Sequence, residues 1–272
     1  MKARALLLGL APPLAVEIAQ RAFSEWSYQP GGWSAGGAGW NHASVARAQE
    51  RHFAALARNL KGPGPLGVSH LPSQTTREDP GDHNAMMSFG YVLARAARNK
   101  ARVGMLDWGG GIGHYYLYSR ALLPEVELDY HCYDVPAMCE AGARLVPGAR
   151  FHHGADDLAD ARFDLVVSSS SLHYFEDWRA TAGLLADRTA EFLYLARVQT
   201  VLAAPSFVVK QRPHRQGYRT EYLSWFLNRG ELIGQVEGLG MEMVREFVFA
   251  ESWVVKGAPE QGECRGFLFR VR

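Results

Sequence analysis

The sequence predicts an α/β protein with a doubly wound, mostly parallel sheet, and three observations carry that expectation. From residue 102 onward, short apolar runs alternate with helical ones. One of those runs ends in the turn Asp107-Trp108-Gly109-Gly110-Gly111-Ile112-Gly113, and the following one ends in Asp134. Alternation of this kind implies right-handed crossovers with helices on both faces of a parallel sheet.

Taken in order, residues 16–26 read as a helix and the Gly31-Gly32-Trp33-Ser34-Ala35-Gly36-Gly37 stretch as a loop. A second helix spans 44–59, stopped by Lys61-Gly62-Pro63-Gly64-Pro65, and a third spans 84–99. No strand pattern stands out before residue 100. Residues 103–108 form the first expected strand and 114–123 the helix after the glycines, ended by Pro124. A strand at 127–133 leads into a helix opened by Pro136, where the missing N–H costs little. Strands at 150–153, 163–168 and 191–197 follow, with a helix at 180–188 between the last two. In the tail, a helix at 229–239 precedes strands at 242–249 and 266–272. With no convincing helix between them, these two suggest an antiparallel pair at the sheet edge. The chain accordingly divides into a helical N-terminal cap or lid, residues 1–100, and a ligand-binding domain, residues 101–272.

Composition narrows the function. The 272 residues carry a formal net charge of +1 without a long basic run, which argues against nucleic-acid binding through bulk electrostatics. Cys132, Cys139 and Cys264 are odd in number and form no C-x-x-C pair, so a reducing cytoplasm is expected rather than a disulfide framework or zinc site. The first residues place Lys2 and Arg4 before a short apolar run, but Pro12, Pro13 and Glu17 argue against a signal peptide. No stretch approaches the roughly 20 apolar residues of a membrane span.

The glycine turn specifies a ligand. Gly109, Gly111 and Gly113 let the backbone turn sharply after a buried strand, and the next helix aims its free N–H groups at whatever lies there. A dinucleotide fingerprint needs G-x-G-x-x-G. Read from Gly109 its third position is His114, and read from Gly111 it is Tyr116, so neither register fits. Asp107 would repel a pyrophosphate and attract a methionine ammonium group. Asp134 would face a ribose, its two oxygens accepting both hydroxyls, although it could instead cap the helix opened by Pro136. Val135 is then placed against an adenine, with Asp156 near the exocyclic amine.

On these residues the chain resembles the class I S-adenosylmethionine-dependent methyltransferases over about residues 100–272. The Asp-x-Gly-x-Gly-x-Gly loop, Asp134, the Phe163-Asp164-Leu165-Val166-Val167 strand and the late strand pair carry the likeness. The resemblance implies a Rossmann-like, mostly parallel seven-stranded sheet with an antiparallel edge strand, S-adenosyl-L-methionine as cofactor, and methyl transfer. Gly31-Gly32-Trp33, the triple glycine with Tyr115-Tyr116, and Ser224-Trp225 are similar to a bacterial subgroup of candidate methyltransferases, which implies little about the acceptor. Asp134-Val135-Pro136 is similar to small-molecule O-methyltransferases, so oxygen is preferred over nitrogen.

Methyl transfer from a sulfonium needs positioning above all, and a base only where the acceptor loses a proton. The segment after the fourth strand, Ser168-Ser169-Ser170-Ser171-Leu172-His173-Tyr174, faces the methyl group in this family. It offers His173 either as the base or as a histidine that only lines the pocket against the adenosine, and Ser168 toward the cofactor, with His114 a second base. It lacks the Asn/Asp-Pro-Pro-Tyr-like tetrapeptide of nucleic-acid methyltransferases and the aspartate of metal-dependent catechol enzymes. His152 and His153 point to opposite faces of a strand, and no metal is expected. Trp33, Trp40, His42, Tyr115, Tyr116, Arg197 and Trp225, with Gln211 and Tyr222, are the expected acceptor-pocket residues, the first three on a loop able to act as a lid. A partly apolar small-molecule acceptor, no membrane partner and a second copy packed on the helical N-terminal region complete the expectation. Two alternatives stay open: an NAD(P)-dependent oxidoreductase, and a non-catalytic protein that binds S-adenosylmethionine.

Overall fold

The structure, a computed structural model, describes residues 24–34, 39–66, 79–158 and 160–272, with the side chains of residues 155, 156 and 215 outside that description. The chain runs β1 (Trp26–Tyr28), α1 (Ala43–Asn59), α2 (Pro80–Ala96), β2 (Arg102–Trp108), α3 (His114–Leu122), β3 (Glu127–Tyr133), α4 (Pro136–Leu145) and β4 (Arg150–His152). It continues through β5 (Phe163–Ser169), α5 (Trp178–Asp187), β6 (Thr189–Val201), β7 (Phe207–Gln211), β8 (Tyr222–Asn228), α6 (Arg229–Gly238), β9 (Met241–Ser252), β10 (Val255–Lys256) and β11 (Glu263–Val271).

Seven of these strands form the main sheet, in the order β4-β3-β2-β5-β6-β11-β9. The first five are parallel, and β11 lies antiparallel between β6 and β9, the edge arrangement expected of two late strands. One face is covered by α2 and α3, whose Phe89, Val92, Leu93 and Tyr118 share a buried core with Val103, Leu165 and Tyr194. The other face is covered by α5 and α6, through Trp178, Leu185, Leu232 and Val236 against Leu106, Val166 and Phe267. Strands buried on both faces read as near-continuous apolar runs, which is why β2 and β5 are visible in the sequence.

The remaining strands make a second, smaller sheet. β8 pairs in parallel with the far end of the 13-residue β6, through Thr200 and Val201. β7 pairs antiparallel with β8, β1 antiparallel with β7, and β10 parallel with β1. The sequence pattern did not reveal it. β7 and β8 interrupt the strand–helix rhythm as a hairpin, and the partners of β1 lie near the other end of the chain. The helix expected over 16–26 lies mostly outside the described residues, but Trp26 itself is in β1 and buried against Phe226 and Trp253.

Two helices start earlier than expected because their caps do. Asp79 accepts from the N–H groups of Gly81 and Asp82, and Pro80 occupies the first turn, so α2 begins at Pro80. Asp177 accepts from Ala180 N–H, so α5 begins at Trp178. Among the described residues, no helix is long and apolar enough to cross a membrane.

Candidate active site

A cavity of about 480 Å³ opens at the C-terminal ends of β2, β3, β5 and β6, between the main sheet, the small sheet and α1. Ligands of open α/β sheets bind at this end, where strand order reverses across β2 and β5.

At one end of the cavity stands the glycine turn. Gly109, Gly111 and Gly113 all have left-handed backbone, with φ of 74°, 62° and 88°. A Cβ on Gly109 would overlap the Ser171 hydroxyl, and one on Gly110 would overlap the Asp107 carboxylate. The turn therefore packs closely on Ser171 and Asp107, and Gln49 Oε1 and the His114 ring lie beside Gly111. Gly113 caps α3 and lies behind the wall, against Phe151.

Asp107 is buried beneath this turn. Its Oδ2 accepts from the Tyr130 hydroxyl, while its Oδ1 is buried with no hydrogen-bond partner among the described residues. Burial pushes the carboxyl up to about 7, against the lowering effect of the Tyr130 hydrogen bond. Asp134 is fixed by two backbone donors: Gly111 N–H to Oδ2 at 2.7 Å and Val135 N–H to Oδ1 at 2.7 Å. Each oxygen keeps a second lone pair for a ligand hydroxyl. Burial raises this group to about 6, and its two backbone donors act in the opposite sense. Val135, Tyr133 and His153 line the same end, and His152 turns the other way to stack on His131 at 5.0 Å.

At the other end the walls are aromatic and amide side chains. Trp40 stacks on Tyr222 at 4.6 Å and meets Tyr174 edge-on at 5.0 Å. Tyr174 O–H donates to Gln211 at 3.1 Å, and Tyr115 O–H donates to Ser169 at 2.8 Å. Burial drives Tyr115 up to about 12, so it stays a donor. His173 is fully buried with neither ring nitrogen bonded, and burial lowers it to about 3. His114, also on the wall, is lowered by burial to about 4.

Arg197 reaches the cavity through a bulge. Ala196 and Arg197 of β6 face the single residue Gly266 of β11, and Arg197 takes a left-handed φ of 52°. The extra residue re-aims the strand, as bulges do beside binding sites. Its Nε lies 2.7 Å from Glu251 Oε1, an ion pair by distance whose N–H is not aimed along the contact. That carboxylate holds the guanidinium above its ordinary range despite burial.

The cavity thus gathers Asp107, Gly109, Gly111, Asp134, Val135, His114, His173, Trp40, Tyr115 and Arg197 from the sequence-predicted set. Besides Gly113, five expected residues are elsewhere. Ser168 faces the opposite side of β5, the side of Val166, because side chains alternate along a strand. Tyr116 sits one helix position from Tyr115 and so turns away, packing on Tyr130 at 5.6 Å. Trp33 and Trp225 stack on one another at 5.9 Å outside the cavity, and Trp225 N–H is taken by the Glu176 carbonyl. His42 caps α1, its Nδ1 accepting Ser44 N–H at 3.1 Å. The Asp156 side chain lies outside the described residues. Gln49, Gln199, Gln216, Tyr218 and Glu251 line the cavity without having been foreseen. Lone glutamines carry no spacing signal, but the aromatic and β-branched run Phe207-Val208-Val209 could have disclosed β7. Among the described residues, no group of three or more His, Cys, Asp or Glu side chains is placed to hold a metal ion.

No family model matches the chain, and no curated protein sequence matches it. Solved structures do. A candidate sarcosine dimethylglycine methyltransferase from Galdieria sulphuraria superposes over 82% of this chain and 97% of its own, with a TM-score of 0.51 at 12% identity. A magnesium protoporphyrin IX methyltransferase from Synechocystis PCC 6803, solved with S-adenosylhomocysteine, covers 84% of this chain and 98% of its own at 14% identity, with a TM-score of 0.49. The CcbJ methyltransferase from Streptomyces caelestis covers 79% and 96% at 14% identity, with a TM-score of 0.48. The fold is the Rossmann-like fold expected from the resemblance, extended here by the small sheet of β8, β7, β1 and β10.

Proposed function

We propose that this chain is an S-adenosylmethionine-dependent methyltransferase acting on an oxygen, or a nitrogen, of a small molecule in bacterial biosynthesis. The observation that carries the reading is Asp107 Oδ1, a buried carboxylate oxygen without a partner beneath a glycine turn that opens on the cavity. An uncompensated buried carboxylate is costly, and a ligand ammonium group is the partner its chemistry asks for. Asp134, whose orientation is fixed by Gly111 and Val135, fits the two ribose hydroxyls with its remaining lone pairs. The residues present therefore suit the cofactor.

S-adenosylmethionine supplies a methyl group on a sulfonium sulfur that leaves as a neutral thioether. The protein's task is to align the acceptor and exclude water. Alignment falls to the wall of Trp40, Tyr174 and Tyr222, which exclude water from the acceptor side. His173 stays neutral throughout the physiological range, and one of its two free nitrogens can accept a hydrogen bond from the acceptor atom that loses its proton. Such a neutral acceptor orients a nucleophilic lone pair more than it stores a proton. His114 is the second candidate, from the first turn of α3.

Calorimetric titration with S-adenosylmethionine, S-adenosylhomocysteine, NADH and NADPH tests the reading. Micromolar binding of the sulfur nucleosides is expected. Two lost hydrogen bonds to a charged group imply about 100-fold or greater weakening in Asp134→Ala. Tight dinucleotide binding without response to either sulfur nucleoside would replace the methyltransferase by an oxidoreductase.

A further inference from the structure

Beyond the cofactor end, the cavity is lined by polar atoms that are buried, uncharged and without partners. Trp40 Nε1, the Gln216 carbonyl oxygen, the Tyr218 hydroxyl and both nitrogens of His173 form no hydrogen bond among the described residues, and Gln49 Oε1, likewise without a partner there, lies at the glycine turn, where a Cβ on Gly111 would come within 3.0 Å of it. Tyr218 lies near enough to Gln49 for that amide to influence its ionisation, yet the two are not in an aligned bond. Buried polar atoms in folded proteins are paired almost without exception, and a group of them facing one space marks a ligand that completes them.

Their chemistry defines that ligand. Trp40 can only donate, the Gln216 amide oxygen can only accept, Tyr218 can do either, and neutral His173 offers one of each. The cations and anions on this side cancel: Arg197 is already matched by Glu251 at 2.7 Å. Asp107 and Asp134 belong to the glycine turn. Among the described side chains on this side, no unmatched cation is left for a phosphate or carboxylate, and no unmatched anion for an ammonium. The surrounding surface is aromatic, with Trp40, Tyr174 and Tyr222 on one side and Trp26 and Trp253 on the other.

The geometry points to an uncharged, planar acceptor, a neutral phenolic or heteroaromatic ring with donors and acceptors on more than one edge. Trp40, His173, Gln216 and Tyr218 read its edges and so determine specificity. This inference rests on the methyltransferase reading of the same cavity. Gln216 and Tyr218 lie on the β7–β8 connection, so the small sheet supplies selectivity to a cofactor site built entirely by the main sheet.

The test uses full-length protein saturated with S-adenosylhomocysteine and follows tryptophan fluorescence and heat on adding defined probes. Lumichrome and theobromine are the neutral planar probes, salicylate and phenyl phosphate the anions, and tyramine the cation. The neutral probes are expected to bind at least ten-fold more tightly than any charged one. Gln216→Leu and Tyr218→Phe are each expected to weaken them about ten-fold, the loss for one buried hydrogen bond. His42→Ala, outside the cavity, serves as the control for helix packing. Preference for a charged probe, or no neutral binding up to millimolar concentration while S-adenosylhomocysteine is bound, overturns the inference and leaves the methyltransferase reading standing. Failure of S-adenosylhomocysteine itself to bind removes that reading, and the inference with it.

Discussion

At the glycine-loop end of the cavity, the walls come from neighbouring pieces of chain: the end of β2, the turn after it, and the end of β3. At the acceptor end they come from residues as far apart as Trp26, Trp40, His173, Tyr218 and Glu251. The first end holds two carboxyls displaced upward by burial, and the second holds neutral groups and one matched ion pair. On the proposed reading, one end meets a cation and hydroxyls and the other reads an uncharged ring, so a cofactor grip set by local chain geometry is combined with an acceptor side assembled from distant segments.

Collapsing the glycine turn breaks the contrast most severely. Gly109→Ala forces a left-handed alanine whose Cβ overlaps the Ser171 side chain. Strain of this kind costs on the order of 1–3 kcal/mol before the overlap is relieved. The melting temperature should fall and S-adenosylhomocysteine binding should vanish in calorimetry. An unchanged melting temperature would show that the turn is softer than its geometry implies.

His173→Gln addresses the other end. Loss of an orienting hydrogen bond should lower kcat about 10- to 100-fold with cofactor affinity retained, once an acceptor is in hand. Because burial holds His173 down at about 3, no His173 ionisation should appear in the kcat profile between pH 6 and 9. A rise in kcat with an apparent pKa near 6.5 that disappears in His173→Gln would make it an ordinary titrating base instead.

Protonation separates the two ends again. Asp107 is raised to about 7 and Asp134 to about 6, from an ordinary value of 3.8. A carboxyl that holds its proton more tightly when folded makes the folded state lose stability as pH climbs from about 4 to 7. Binding of a cationic amino group runs the other way and should strengthen severalfold from pH 6 to pH 8. Asp107→Asn should therefore melt higher at pH 8 without ligand, and bind the cofactor more weakly with a flatter pH dependence. Equal pH dependence in both proteins would remove Asp107 from the cofactor grip.

The smallest effect belongs to a residue whose sequence suggested more. His42→Ala removes the α1 cap, worth about 1 kcal/mol, and should change stability by that amount without altering either ligand. A loss of acceptor binding beyond that would return His42 to the pocket.

What could be read from the sequence follows the same division. Asp107, the glycines and Asp134 were legible because a strand end, its turn and the next strand end are set by local chain geometry. The main sheet was legible for a related reason, since buried parallel strands stand out as apolar runs. The acceptor end was only partly legible. Trp40 and Arg197 reach it, but nothing local told that Trp33 and Trp225 would satisfy each other, or that Tyr116 would turn behind Tyr115. The small sheet was missed because β1 pairs with strands near the other end of the chain, and Gln216 and Tyr218 on its β7–β8 connection went with it.

The crystal structure of the protein grown with S-adenosylhomocysteine tests the central claim most directly. We expect the amino group within hydrogen-bond distance of Asp107 Oδ1, the ribose hydroxyls on Asp134, and the space between Trp40, His173 and Gln216 still free for an acceptor. A nucleoside lying among Trp40, Tyr218 and Tyr222, with Asp107 left without a partner, would contradict it.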